Sequence, residues 1–409
     1  MNARIVTGLL LVLLASTPEI AQSQGLMQGL PPAPEQRVTK ENWFIGPYNR
    51  WGLQHVREIT ATTEISRGDV PVHEFGHKYL PIADIHLKNI EGKTVAISDW
   101  LTDSFTDGYL VIHNGKIATE IYMNEMTERS HHNMFSVSKS FAGNLAGILA
   151  GQGLLDPDAP ITKYVPELTN TAYGDARVRH LLDMTVGIRF TEEYEDPRSD
   201  IFIHAQGTNA TPNPEGLTLF STLSKFPKEG EHGAKFHYVT ADTDALGWVL
   251  QRASGRKLSE LLSEELWSKI GAERDAYVIN DLNGTAWLGG GLNITLRDAG
   301  RFGLMMLQNG AIDGRQVVPA EWVWDIRRDK KNIAGPTEGY RSKWWILTEL
   351  NGYTASGVSG QLITVLPDQN LVIVKFSSWP TLSGYAKGDE DYDYRAIKAV
   401  IKYFDNLDD

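Results

Sequence analysis

The 409-residue chain contains no cysteine. That absence removes disulfide scaffolds, thiol nucleophiles and Cys-ligated zinc. Of its 11 histidines, His131 and His132 are adjacent, and one His-Glu-x-x-His string occurs, His73-Glu74-Phe75-Gly76-His77. That string needs a helix to bring both histidines to one face, which Gly76 disfavours, so a mechanism without metal or cofactor is the default. Positive charge is also short. Lys and Arg total 39 against 51 Asp and Glu, a formal net charge of −12. That balance argues against a nucleic-acid partner and suits small neutral or cationic ligands. With 42% hydrophobic and 22% charged residues the chain has an ordinary globular composition. Its length allows about two to three domains.

The apolar run at residues 5–15 is too short to span a bilayer comfortably. Preceded by Arg4 and followed by the small residues of Ala21-Gln22-Ser23, it reads as a secretory signal cleaved after Ser23. A retained membrane anchor is the alternative. Arg4 and Glu19 cancel, so the mature chain keeps its charge of −12. The protein is expected in the periplasm or the medium, with no stable membrane anchor after signal removal.

Residues 24–50, rich in Pro, Gln and Gly, read as an extended lead-in. Residues 109–113, Asn114-Gly115 and residues 117–122 read as a hairpin with a type I′ turn. Residues 362–366 and 371–376, joined by Pro367-Asp368-Gln369-Asn370, repeat the design. The spacing of Ile397, Val400, Ile401 and Phe404 predicts a last helix packed on the sheet. Three- and four-residue apolar intervals predict helices over 173–186, 240–254 and 257–270. Residues 187–235 lack periodicity and read as long loops over a site. The outline is a sheet built from both ends of the chain with a helical insertion.

Ser136-Val137-Ser138-Lys139 follows the first hairpin, and Phe141, Leu145, Ile148 and Leu149 continue it at helical spacing. Residues three apart share a helix face, so Lys139 can reach Ser136. A serine hydroxyl needs a base, and a desolvated lysine can be one. The helix N-terminus would favour the developing alkoxide. The bland alternative makes Ser136 a helix cap and Lys139 a solvated cation. Ser254-Gly255-Arg256-Lys257 matches the same motif, so the motif alone does not decide.

The sequence resembles the serine β-lactamase/D,D-peptidase superfamily, most closely its esterase and amidase branch and the 6-aminohexanoate-dimer (nylon-oligomer) hydrolase group. The matching pieces include Ser136-Val137-Ser138-Lys139-Ser140, Leu182-Asp183-Met184, Tyr194-Glu195-Asp196-Pro197 and Phe236-His237-Tyr238. Thr243-Asp244-Ala245-Leu246-Gly247-Trp248, Gly290-Gly291, Thr295-Leu296-Arg297-Asp298, Trp344-Trp345 and Gly357-Val358-Ser359-Gly360-Gln361 follow in family order. They run from about residue 100 to the C-terminus.

The resemblance implies an α/β (α+β) fold, an antiparallel sheet flanked by helices plus a mostly helical insertion. The corresponding division is residues 24–165 with 286–409 for the sheet domain and 166–285 for the helical one. It also implies roles. Ser136 would be acylated. Lys139 and Tyr238 would share its proton, the phenol acting through a cation-lowered pKa or by concerted transfer. Tyr194 would hydrogen-bond the substrate amide and assist the leaving nitrogen. The bland readings are a buried aromatic for Tyr238 and a loop tyrosine for Tyr194.

The family's Lys-Thr-Gly appears as Ala355-Ser356-Gly357. The backbone N–H groups of Ser136 and Val358 can still form an oxyanion hole. Losing the lysine, and carrying Thr240 in place of the asparagine of Tyr-x-Asn, counts against β-lactamase or D,D-peptidase activity. Trp344, Trp345 and Gly357 are candidate substrate contacts, the tryptophans being equally readable as core. Arg297, Asp298 and Arg301 read as helix braces. The acidic run Asp389-Glu390-Asp391 with Asp393 reads as a solvated loop that could attract an ammonium. The functional expectation is a secreted serine hydrolase of linear amides such as 6-aminohexanoate oligomers, or of short esters. A carboxylesterase is the alternative, and a non-catalytic penicillin-binding-like module is the contrasting class.

Overall fold

The computed structural model describes residues 25–328, 338–386 and 389–408. The signal segment lies outside the described residues. An eight-stranded sheet forms the centre. Its order is Glu338–Arg341, Trp344–Leu347, Gly352–Gly357, Gln361–Leu366, Leu371–Ser377, Thr106–His113, Lys116–Tyr122 and Gly76–His77. All neighbours are antiparallel except Gly76–His77, which runs parallel to Lys116–Tyr122. Both sequence-read hairpins are present, and they dock through the register Val374↔Leu110 and Lys375↔Tyr109. Asn114 and Gly115 take φ of 51° and 72°, the paired positive values that a type I′ turn requires.

The central strands are buried on both faces, and strand alternation sorts their side chains. Leu110, Ile112, Val372, Val374 and Phe376 join the larger core. Helices Val137–Gly151 and Leu296–Leu307 pack there, with Phe141 stacked on Phe302 at 3.8 Å between ring centroids. Tyr109, Val111, Leu371 and Ile373 face the other way, onto the C-terminal helix Asp389–Asp408 and helix Ile97–Asp103. Each fully buried residue of this kind contributes on the order of 2 kcal/mol. Arg301 and Thr295 brace helix Leu296–Leu307 through Asp298, as expected.

A second, four-stranded sheet has the order Thr62–Ile65, Ala276–Ile279, Leu292–Ile294 and His132–Asn133. Its last strand leads directly into Ser136. Met134 N–H donates to Leu292 O at 2.9 Å, fixing the turn against that sheet.

Several local expectations change. The helix expected over 173–186 is only Val178–Leu182, because Gly174 turns tightly against Thr169 and Met184 adopts a left-handed φ of 53°. Residues 257–270 pass from helix Leu258–Leu261 through π-helical Leu262–Leu266 into a 3-10 turn. Apolar spacing does not register that widening. Helix Thr240–Ser254 matches, closing at Gly255 with φ 71°. The lead-in is no free tail: Trp43 is buried and donates to Ala210 O at 2.8 Å. The acidic run Asp389 to Asp393 forms the first turns of the C-terminal helix, not a loop, because Asp389 accepts from the Tyr385 and Ala386 N–H groups ahead of it.

Candidate active site

Ser136 is the residue just before helix Val137–Gly151, and its side chain makes no capping bond. Lys139 donates to Ser136 Oγ at 2.8 Å and to Gly289 O at 2.7 Å. Lys139 is 1% exposed. Both halves of the bland reading therefore fail, since the serine caps nothing and the lysine is not solvated. Ser254 instead donates to Leu250 O inside its own helix, so the second motif is a helix end.

Burial pushes the Lys139 ammonium down to about 8, against the pull of the Glu192 and Asp244 carboxylates. A buried amine with that affinity is neutral in an appreciable fraction of molecules near neutral pH. Gly289 is itself held: its N–H donates to Asp244 Oδ1 at 3.1 Å, and Asp244 Oδ2 pairs with buried His204 Nε2 at 2.8 Å.

Tyr238 shares a hydrogen bond with Ser136, and Lys139 Nζ sits 5.2 Å from the centre of its ring. The expectation that this cation depresses the phenol is corrected. Burial raises the Tyr238 pKa and the Glu192 carboxylate raises it further, which the bond to Ser136 only partly offsets. Tyr238 is a phenol at rest, and of the two expected routes only concerted transfer fits. Its ring is oriented by stacking on Trp345 (5.6 Å, 17°) and by an edge contact with Tyr340 (6.1 Å, 85°).

Tyr194 donates to Glu192 Oε1 at 2.6 Å, and burial with that carboxylate raises its pKa well above the ordinary range. Glu192 also accepts from Thr240 N–H at 2.8 Å and Thr240 Oγ1 at 2.6 Å. It thus caps helix Thr240–Ser254, whose positive end favours a carboxylate, and fixes Tyr194 to the wall of the site. Sequence reasoning missed Glu192, Gly289, Asp244 and His204. The faint signal for Glu192 was its spacing: two residues before Tyr194, extended chain points both side chains the same way.

Gly357 meets the Ser136 turn at very short range. A Cβ built there would lie 2.6 Å from Met134 O and 3.0 Å from Ser136 N. Val358 opens the 3-10 turn Val358–Gly360, where the first N–H has no partner within the turn. Ser136 N–H likewise has no acceptor among the described residues. Two such donors beside one serine suit an oxyanion.

Ser136, Tyr194, Tyr238, Trp345, Gly357 and Val358 all line one open cleft of about 840 Å³. Trp344 does not. It is 0% exposed and packs on Phe302 and Tyr353 in the core, because neighbouring strand residues face opposite ways. Ala355, where the family lysine would stand, is buried at 1% exposure. No Lys or Arg is among the cleft's described lining residues, whereas Glu192, Glu193, Asp391 and Asp393 are. Among the described residues no three His, Asp or Glu side chains converge to hold a metal, and no helix is long and apolar enough to cross a membrane.

Known proteins share this chain's sequence and fold. The β-lactamase family model matches residues 106–397. The 6-aminohexanoate-dimer hydrolase of Paenarthrobacter ureafaciens is 32% identical over 362 residues, covering 86% of this chain and 90% of the relative. A Bacillus anthracis structure assigned to the same hydrolases superposes with a TM-score of 0.84 at 29% identity, covering 92% of this chain and 98% of that one. A family VIII carboxylesterase shares the fold alone, with a TM-score of 0.52 and 17% identity over 72% of this chain and 91% of that one.

Proposed function

We propose, since this chain belongs to the β-lactamase family of serine hydrolases, that it cleaves linear amides and short esters through an acyl-Ser136 intermediate. The observation that carries this is the buried Lys139 amine at 2.8 Å from Ser136 Oγ. With Lys139 neutral, an N–H stays on Gly289 O and the lone pair faces the Ser136 hydroxyl. As Oγ bonds the substrate carbonyl carbon, its proton passes to Lys139, and the oxyanion rests on the Ser136 and Val358 N–H groups. The proton then reaches the leaving nitrogen or oxygen by way of Tyr238, the carbon–heteroatom bond breaks, and the acyl-serine remains. Water attacks that ester, gives a proton to the same relay and releases the acid, and the relay returns the proton to Ser136.

Tyr194 has committed its own proton to Glu192, so it faces substrate as an acceptor. It would hold the scissile amide N–H and leave the nitrogen lone pair free for protonation. Tyr194→Phe should therefore lower amide turnover about tenfold, the cost of one well-placed hydrogen bond, and touch ester turnover much less. Equal losses on an anilide and its matching p-nitrophenyl ester would remove this role.

The pH dependence follows from Lys139. Its neutral form is the active one, so kcat/KM should climb with pH along a limb centred near 8 and fall away below it. A plateau extending unchanged down to pH 6 would mean that another group takes the serine proton.

Ester hydrolysis is the close second reading, favoured by Thr240. Its hydroxyl proton is spent on Glu192, so the position offers no side-chain donor to the carbonyl of a peptide-like acylamide. With no cation lining the cleft, nitrocefin and a D-Ala-D-Ala peptide should be poor substrates beside p-nitrophenyl butyrate. The apolar leader at residues 5–15 supports export of the enzyme from the cytoplasm. Recovery of the chain with Met1 in the cytoplasmic fraction would contradict that.

A further inference from the structure

Ser136 stands where two spaces of opposite character meet. The cleft of about 840 Å³ carries Tyr238 and acidic side chains. The other is a narrow slot of about 70 Å³, walled by Phe44, Phe135, Ile201, Phe202, Ala205 and Trp287 among others. None of the slot's described lining residues is Asp, Glu, Lys, Arg or His. Almost all of its exposed wall is carbon, and the hydroxyls around it offer only neutral lone pairs, since Thr208 and Thr211 donate to Ala205 O and Thr240 and Tyr194 donate to Glu192. Asp244, behind Gly289, is taken by His204 and by the Gly289 N–H. Trp287 Nε1 is buried without an acceptor. As an N–H donor it cannot receive an ammonium.

Substrate can be oriented from these walls. Around the attacked carbon, the oxyanion belongs with the N–H groups of Ser136 and Val358. The leaving group must reach its proton donor, and Tyr238 lines the cleft and not the slot. The remaining substituent, the acyl chain, is left with the slot. We infer that the slot is the acyl subsite and selects short, uncharged acyl groups, so that a chain ending in ammonium is handled worse than an alkyl chain of equal length. This rests on the acyl-Ser136 reading and narrows it. The slot has room for on the order of five water-sized groups, which fits a butyryl or pentanoyl chain. An ammonium at its end would lose water and gain no carboxylate. A 6-aminohexanoate dimer carries an ammonium on its acyl half and a carboxylate on its amine half. Here the first meets an apolar wall, and the second meets a cleft with no Lys or Arg among its described lining residues.

The test holds the leaving group constant. p-Nitrophenyl acetate, butyrate, hexanoate, octanoate and 6-ammoniohexanoate are compared by kcat/KM with the whole enzyme. The expected maximum is at butyrate, with octanoate about tenfold or more below it. The 6-ammoniohexanoyl ester should run about tenfold or more below hexanoate. Ala205→Leu narrows the slot and should lower the butyrate-to-acetate ratio about tenfold, a comparison internal to one protein sample. A 6-ammoniohexanoyl ester turned over as fast as hexanoate, or an unchanged ratio in Ala205→Leu, overturns the assignment. If no ester is turned over and a fluorophosphonate leaves Ser136 unlabelled, the acyl-Ser136 reading fails first and the slot assignment falls with it.

Discussion

Replacing Lys139 with methionine should lower kcat/KM roughly 10²–10⁴-fold, the range that general-base catalysis supplies. Methionine fills much the same volume, so the loss would be chemical and not a collapse of packing. The same substitution should raise stability, and the sign follows from linkage. Burial holds Lys139 near 8 in the folded chain, against about 10.4 when unfolded. A lysine depressed in this way favours folding fully only above the unfolded value, and that favour is lost as pH falls from about 10 toward 8. At pH 7 the native lysine therefore costs on the order of 3 kcal/mol, at about 1.36 kcal/mol per pKa unit. Removing it should raise Tm at pH 7 and do little at pH 10.5. Calorimetry of both proteins at the two pH values checks this. An inactive variant that is also less stable at pH 7 would mean that the lysine is a structural cation.

Gly357→Ala should lower kcat about 10²–10³-fold with a smaller change in KM, the signature of a lost oxyanion donor. The atoms that the new Cβ would strike, Met134 O at 2.6 Å and Ser136 N at 3.0 Å, are backbone and cannot rotate aside. Strand Gly352–Gly357 would have to back away from the serine turn and take the Val358 N–H with it. The neighbouring Ser356→Ala keeps the strand in place and serves as the reference. A Gly357→Ala enzyme with wild-type kcat would show that the donors lie elsewhere.

How much of this was legible in the sequence depends on how local the determinant is. The hairpin at Asn114-Gly115 could be read because alternation and turn chemistry sit within a few residues of each other. The Ser136–Lys139 contact could be read because three-residue spacing on a helix fixes it. Tyr238 and Val358, each more than 100 residues from Ser136, could be placed only through an ordered family resemblance.

Glu192 illustrates the limit. It lies among Glu193 and Glu195, and nothing in composition separates them. What singles it out is the docking of helix Thr240–Ser254, which brings the Thr240 N–H and hydroxyl to it across 48 residues. His204 and Asp244 are similar, 40 residues apart and joined only by the fold. The Tyr238 pKa was misread for a related reason: a nearby cation was visible in the motif, whereas burial and the opposing carboxylate were not. Trp344 and Trp345 could have been separated, since adjacent strand residues cannot face one pocket.

The central claim, that Ser136 is the nucleophile, is tested most directly by labelling with a fluorophosphonate and mapping the modified peptide by mass spectrometry. The account predicts one phosphonyl group on Ser136, loss of p-nitrophenyl butyrate turnover in step with labelling, and no label on Ser136→Ala. Inactivation with the label on another residue, or a Ser136→Ala enzyme that still turns over the ester, would contradict it.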